Sequence, residues 1–139
     1  MTNVSTVPTS EVVVGGEATG RLVVSPAPLS FWGGYDSATG EVIDRRHPLS
    51  GQRIAGCVLA LPWTRGSSTT TAVLLEAVRR GTAPAAILLP ASDTFIALAS
   101  VVAHELYGRG FPVLVVEPSA LTGLDGTVVH LTSQTAPRP

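Results

Sequence analysis

Five consecutive hydroxyl side chains follow an arginine and a glycine in the middle of the chain, in the segment Arg65-Gly66-Ser67-Ser68-Thr69-Thr70-Thr71. A helix start needs only one hydroxyl as its cap, and any of the five could serve. The free N–H groups and the dipole of a helix start also favour an anion, and an arginine beside them adds positive charge. The segment therefore predicts a helix start that binds a carboxylate or a phosphate, with helix capping alone as the alternative.

The same donors could turn a serine of this segment into a base. A serine removes a proton only when its alkoxide is stabilised, and neighbouring N–H groups together with Arg65 would supply that stabilisation. Acyl-transfer hydrolysis is not favoured, because no G-x-S-x-G segment occurs in the chain. Proton abstraction and simple anion binding are therefore the two hypotheses for this segment.

A second segment, Ser30-Phe31-Trp32-Gly33-Gly34, places two aromatic side chains directly before two glycines. Glycines let a backbone approach a ligand or a partner closely. The alternative is an aromatic strand packed in the core before a turn.

A third segment, Asp44-Arg45-Arg46-His47-Pro48, groups charges in a predicted loop, and we interpret them either as solvated charges or as a contact with substrate or another subunit.

Metal ligands are scarce in this chain. Cys57 is the one cysteine, so it cannot form an internal disulfide or hold an iron–sulfur cluster. His47, His104 and His130 are far apart in sequence, and no ligand spacing typical of zinc occurs. We expect no metal site in this chain, so any metal would belong to a partner.

The composition of the chain limits the kinds of partner that we expect. Charged residues make up 14% and the formal net charge is −1, which does not favour nucleic acid or a membrane surface. The mean hydropathy of +0.35 is high for a small soluble domain, so we expect another chain to cover part of the surface. No apolar run approaches the roughly 20 residues of a membrane span, and the polar start lacks signal-peptide features. We expect a soluble, cytoplasmic protein that binds a small molecule.

The predicted elements divide the chain into a β-rich first half and a βαβαβ second half. In the first half we predict strands over 20–25, 29–32 and 41–44, with a turn over 36–40. In the second half we predict strands over 57–61, 85–89 and 111–116, helices over 71–80 and 94–107 with Ser92-Asp93 as the cap of the second, and one further strand over 127–132. Parallel pairing and right-handed crossovers follow. The sequence predicts one layered α/β domain over 1–139, with flexible ends over 1–17 and 134–139.

Several segments in this order identify a resemblance: Ser30-Phe31-Trp32-Gly33-Gly34-Tyr35-Asp36, Asp44-Arg45-Arg46-His47-Pro48, Gly51, Arg65-Gly66-Ser67-Ser68 and Gly81-Thr82-Ala83-Pro84-Ala85-Ala86. Over about residues 18–117 the chain resembles the small subunit of aconitase X, the swivel-domain component of a hydro-lyase of the aconitase superfamily. The resemblance implies a layered β/β/α swivel domain that pairs with a large subunit. That subunit is expected to carry an iron or iron–sulfur centre.

The resemblance also implies roles for individual residues. In this superfamily the first serine after the glycine is the base, which is Ser67 here, and Ser68 would donate to the substrate. Gly66, Arg65 and the segment Ser30, Phe31, Trp32 and Gly33 complete the expected substrate-binding residues. Thr69 stands where the aconitases have an arginine after the two serines, so a tricarboxylate substrate is not expected.

The resemblance leaves two aconitase X activities as alternatives for this chain. The forms of the aromatic and charged segments favour the bacterial dehydratase of cis-3-hydroxy-L-proline over the archaeal dehydratase of mevalonate 5-phosphate. A non-catalytic, anion-binding or regulatory swivel module is the alternative from another class. A phosphohistidine carrier is not favoured, because no histidine lies between Arg65 and Arg80.

Overall fold

The computed structural model describes residues 4–132, which form nine strands, three helices and one 3₁₀ helix. The strands are β1 Ser5–Thr6, β2 Glu11–Val14, β3 Glu17–Val24, β4 Tyr35–Asp36, β5 Glu41–Val42, β6 Val58–Ala60, β7 Ala86–Leu89, β8 Val113–Val115 and β9 Val128–Thr132. The helices are α1 Phe31–Gly34, a single turn whose two central residues have non-helical dihedral angles, α2 Ser68–Arg80 and α3 Thr94–Tyr107, and the 3₁₀ helix is Pro118–Leu121.

Seven strands form one sheet in the order β1-β9-β3-β6-β7-β8-β2. The central strands β3, β6, β7 and β8 are parallel, so their carboxyl ends share one edge, which we call the carboxyl edge. The outer strands β9 and β2 pair antiparallel with β3 and β8. In parallel sheets of this kind, the loops that leave the carboxyl edge carry the functional groups.

Side chains alternate between two cores along the parallel strands. Leu59 and Ile87 face α2 and α3, where they pack with Leu74 and Ile96. The neighbouring residues of the same strands, such as Val58 and Leu88, face the opposite layer, with Val129 of β9 and Leu121 of the 3₁₀ helix. Burial on both faces explains the uninterrupted apolar runs in the sequence. The predicted β/β/α layering and the βαβαβ second half are confirmed.

The first half differs from the prediction most clearly over residues 29–32, and the predicted strand over 41–44 is shorter, Glu41–Val42. Residues 29–32 are not a strand, because the chain turns at Trp32 and Gly33 and pairs with no other strand there. Leu29 and Phe31 nevertheless face the core beneath the helices, and this burial accounts for the apolar pattern that predicted a strand.

The predicted flexible N-terminal end also contains strands. Within residues 1–17, β1 pairs with β9 and β2 pairs with β8, each at an edge of the sheet. Short β-branched segments of this kind suit edge strands, which need no helical or alternating pattern to form. The predicted C-terminal flexible end, 134–139, lies outside the described residues.

Near the end of α2, one carboxylate pairs with two arginines. The Glu76 carboxylate accepts hydrogen bonds from Arg79 Nε at 2.7 Å and Arg80 Nε at 2.9 Å. The hydrogen bond from Arg79, and then that from Arg80, lowers the pKa of Glu76 from 4.5 to about 2. All three side chains are partly exposed, so solvent screens the pair and its contribution to stability is small.

We expect Glu76→Gln to destabilise the fold slightly at pH 7 and progressively less in acid. Because the folded pKa lies below the unfolded one, the carboxylate stabilises the fold above pH 4.5, and this contribution is lost as the pH falls towards 2. Urea unfolding at pH 7 and pH 3 checks this, with the exposed Glu105→Gln as control. An equal deficit at both pH values would contradict it.

Candidate active site

Ser67 ends the loop that leaves β6 at the carboxyl edge. Its backbone is extended (φ −151°, ψ 173°), and α2 begins at the next residue, Ser68, rather than at Thr71 as predicted. Ser67 is therefore the N-cap of α2 and lies beside the free N–H groups of the first turn. That is the position at which a helix stabilises an anion or an alkoxide.

Hydroxyl groups of the first helical turn surround Ser67. Ser67 Oγ lies 2.6 Å from Thr69 Oγ1, and the Ser67 N–H donates to Thr70 Oγ1 at 3.3 Å. Ser67 and Thr70 are paired as in a capping box. Ser68 is exposed at the start of the helix. Helix capping, the alternative interpretation, thus accounts for Ser67 and its partner Thr70 but not for the contact between the Ser67 and Thr69 hydroxyl groups or for the exposed Ser68.

The loop before Ser67 packs against the start of α3. Asp93 is buried and caps α3, with Oδ1 accepting from the N–H groups of Phe95 at 2.8 Å and Ile96 at 3.2 Å. Its other oxygen accepts a short hydrogen bond from the Thr64 hydroxyl. Gly66 passes so close that a Cβ there would lie 2.6 Å from Asp93 Oδ2. Any side chain at position 66 would therefore require Asp93 to move.

Arg65 lies over an aromatic ring at the mouth of a groove. Its guanidinium carbon is 5.2 Å from the centroid of the Trp63 ring, a distance typical of a cation–π contact. Both side chains line an open groove of about 270 Å³, together with Pro28, Leu29, Ser30 and Asp44. No carboxylate lies within ion-pair distance of Arg65 in the described part of the chain, so its charge is available to an anion in the groove.

The aromatic pair splits between core and solvent. Trp32 (φ −72°, ψ 116°) and Gly33 (φ 77°, ψ −11°) have the dihedral angles of a type II turn, which requires a glycine at its second central position. Phe31 is 1% exposed, and the centroid of its ring lies 5.4 Å from that of Tyr35. Trp32, in contrast, is 67% exposed. Ser30 Oγ donates to Trp32 O at 3.0 Å. The core-packing alternative thus describes Phe31, while Trp32 is accessible to a ligand or partner.

The charged loop 44–48 is held in place by its histidine. His47 is buried, its Nδ1 accepts from a backbone N–H of the same loop at 3.0 Å, and its Nε2 lies 3.3 Å from Ala27 O. Arg45 and Arg46 form no ion pair with any described residue. His47 is therefore structural here, and Asp44 is the residue of this loop that lines the groove.

The predicted site residues fall into four groups. Ser30 and Arg65 line the groove, and Phe31, Arg65 and Gly66 border a narrow crevice beside it. Ser67 and Ser68 follow directly at the helix start, although neither lines that groove or crevice. Trp32 and Gly33 form the exposed turn next to Ser30.

Three neighbours of the site carry no functional prediction from the sequence, namely Trp63, Thr64 and Asp93. For Asp93 the sequence predicts a helix cap only. The signal that could have placed it here is its position after β7, because β6 and β7 are parallel neighbours and the loops after them meet at one edge.

The described residues offer neither a metal site nor a membrane helix. Within 4–132 no three His, Cys, Asp or Glu side chains are grouped as metal ligands. None of the helices described is both long and apolar enough to cross a bilayer.

The comparisons of this chain with known proteins agree with one another. The family model of the aconitase X swivel domain matches residues 8–135. A cis-3-hydroxy-L-proline dehydratase of Pseudomonas aeruginosa is 52% identical over 101 residues, which are 73% of this chain but only 17% of that protein. The phosphomevalonate dehydratase small subunit of Thermococcus gammatolerans is 43% identical over 101 residues, covering 73% of this chain and 77% of that subunit.

A solved structure agrees with these sequence matches. The crystal structure of Thermococcus kodakaraensis aconitase X in its holo form superposes with a TM-score of 0.73 at 31% identity, covering 86% of this chain and 85% of the other. The layering, the carboxyl-edge site and the match over 8–135 lead to one assignment. This chain belongs to the aconitase X swivel domain family.

Proposed function

We propose that this chain is the swivel subunit of an aconitase X-type dehydratase and that Ser67 is the base that takes the substrate proton. The observation that carries the proposal is the place of Ser67 at the N-cap of α2, with its Oγ 2.6 Å from Thr69 Oγ1. Dehydration removes a proton from one carbon and a hydroxyl from its neighbour, so a base at this site has a defined task.

Ser67 would act through a stabilised alkoxide. The N–H groups of the first turn of α2 and the helix dipole favour negative charge at Oγ. The Thr69 hydroxyl can donate to the same oxygen when it is ionised, since the two oxygens are 2.6 Å apart. Thr69 replaces the arginine expected from the aconitases, and this geometry supports a role for it at the base rather than at a carboxylate of the substrate.

The remaining site residues would bind and orient the substrate. Arg65 would pair with a substrate anion in the groove, and Ser68 would donate to the substrate from the helix start. Ser30 lines the groove, Gly33 would present its backbone from the adjoining turn, and Gly66 lets the loop pass Asp93. Trp32 would cover the bound substrate, while the buried Phe31 supports the turn from below.

The large aconitase X subunit is the proposed partner, and it would carry the iron or iron–sulfur centre. The described residues of this chain do not fit such a centre, because Cys57 is buried and no three potential ligands are grouped within 4–132. Trp63 in the groove, and Trp32 and Ile43, which adjoin the groove residues Ser30 and Asp44 in the sequence or its turn, are exposed, as expected of a surface that another chain covers.

The substrate we propose is cis-3-hydroxy-L-proline. The relative named for that activity is 52% identical, compared with 43% for the phosphomevalonate dehydratase small subunit of T. gammatolerans. Mevalonate 5-phosphate is the second candidate. The match covers 77% of the phosphomevalonate dehydratase small subunit, compared with 17% of the cis-3-hydroxy-L-proline dehydratase.

Reconstitution with the large subunit tests the proposal. We expect the chain alone to be inactive and the co-expressed pair to release water from cis-3-hydroxy-L-proline, with mevalonate 5-phosphate assayed side by side. If the pair turns over mevalonate 5-phosphate but not cis-3-hydroxy-L-proline, the substrate assignment is wrong and the assignment as a dehydratase stands. Anion binding by the isolated chain, with no turnover of either compound by an assembled pair, would contradict the proposal and favour a regulatory module.

A further inference from the structure

The starts of α2 and α3 are joined by side chains on both sides of Ser67. Before Ser67, the Thr64 hydroxyl donates to Asp93, and after it the Thr71 hydroxyl donates to Phe95 O at 2.8 Å. Both contacts are to the first turn of α3 or its cap. The loop and the first turn that contain Ser67 are therefore held by the neighbouring helix.

The Asp93 carboxylate accepts hydrogen bonds from three donors at this junction. One carboxylate oxygen accepts from the Phe95 and Ile96 N–H groups, and the other accepts from Thr64. The residue is 9% exposed, so its charge is compensated by these donors and by the positive end of α3 rather than by water. A buried carboxylate with fixed donors has little freedom to move.

Gly66 leaves no space between the loop and this carboxylate. A Cβ on residue 66 would lie 2.6 Å from Asp93 Oδ2 and 2.8 Å from Asp93 Cγ. Because the backbone of residue 66 rests directly on Asp93, the position of the carboxylate fixes the residue that immediately precedes Ser67.

We propose that Asp93 is a positioning residue for Ser67, acting through Thr64 and Gly66 to fix the direction of the Ser67 hydroxyl. The inference rests on the proposed function for its effect on turnover, whereas its effect on the loop is independent of that function. Neither Asp93 nor Thr64 touches the substrate in this role. Misplacement of a reacting group by about 1 Å can lower a rate by as much as about 100-fold, so a small shift of the loop suffices.

The first test removes the hydroxyl of Thr64 and leaves the cap of α3 intact. We expect Thr64→Val to lower kcat of the reconstituted pair about 10- to 100-fold with little change in KM, because the base is misplaced while the groove remains. Thr127→Val is the matched control, since that hydroxyl makes a similar bond, to Leu124 O at 2.6 Å, near β9. An unchanged kcat in Thr64→Val would overturn the inference.

The second test uses the contact between Gly66 and Asp93. We expect Gly66→Ala and Asp93→Ser each to lower kcat, and the double variant to lose less than the two single losses combined, because the shorter serine relieves the contact with the added methyl group and still caps α3. Losses that simply add in the double variant would contradict a steric link between the two residues.

Amide hydrogen exchange of the full chain separates this inference from the proposed function, since it needs no turnover. The Ser67 N–H, which donates to Thr70 Oγ1 at 3.3 Å, should exchange faster in Thr64→Val than in Thr127→Val. Equal exchange in the two variants would overturn the inference. Faster exchange in Thr64→Val with no turnover in the unsubstituted pair would support the inference and refute the dehydratase.

Discussion

Replacement of Ser67 by alanine is expected to lower the turnover of the assembled dehydratase by about 10²- to 10⁴-fold, the usual contribution of a general base. The N–H groups of α2 and the Thr69 hydroxyl, 2.6 Å from Ser67 Oγ, would remain in place without an oxygen to stabilise. Steady-state rates of the purified pair, measured with cis-3-hydroxy-L-proline, check the result. KM should change little, since the groove residues are untouched.

Stability must be measured beside activity, because Ser67 is also an N-cap. Loss of such a cap costs about 1 kcal/mol, too little to unfold a domain of ordinary stability. The exposed Ser119→Ala serves as a matched control and should retain full activity. Full activity in Ser67→Ala would refute the assignment of the base, and failure of the variant to bind the large subunit would assign Ser67 to assembly instead.

Gly40→Ala is expected to have the largest effect on stability, lowering the free energy of unfolding by about 2–4 kcal/mol. Gly40 has φ +76°, and a Cβ there would lie 2.6 Å from Ala55 Cβ and 2.9 Å from Thr82 O. Thr82 O already accepts a hydrogen bond of 2.6 Å from the Tyr35 hydroxyl, whose burial raises its pKa. The added methyl group would therefore force the β4–β5 hairpin away from the end of α2.

Gly51→Ala is the matched control for this prediction. Gly51 also has a positive φ, +85°, but a Cβ at this position would have no neighbour within 4 Å among the described residues. Only the backbone strain of about 1–2 kcal/mol therefore applies to Gly51→Ala. Urea unfolding of the two variants checks the difference. Equal losses would show that crowding at Gly40 contributes nothing.

The sequence predicts the second half of the fold well because its signals are local. Apolar runs of strand length alternate with helical stretches, and Asp93 and Gly81 stand at helix ends where the structure has them. The family motifs then predict which serine is the base, although the helix that presents it begins at Ser68 instead of Thr71. The earlier start makes Ser67 the cap, and this sharpens the chemical hypothesis.

Long-range contacts could not be predicted from the sequence. Nothing in the order Phe31-Trp32 tells which ring is buried, since that depends on how the turn at Gly33 directs each side chain. The approach of Gly66 to Asp93 depends on the register between β6 and β7, which pairs Leu59 with Ile87. Parallel neighbours such as β6 and β7 are joined through a helix, so no tight turn fixes their register.

Turnover of the assembled pair carrying Ser67→Gly separates the base from the cap. Glycine caps a helix within a few tenths of a kcal/mol of serine, so the unfolding curve should match that of the unsubstituted chain while the hydroxyl is absent. We expect the rate to fall by about 10²- to 10⁴-fold, as in the alanine variant. A Ser67→Gly complex that releases water from the substrate at the unsubstituted rate would contradict the proposed role of Ser67.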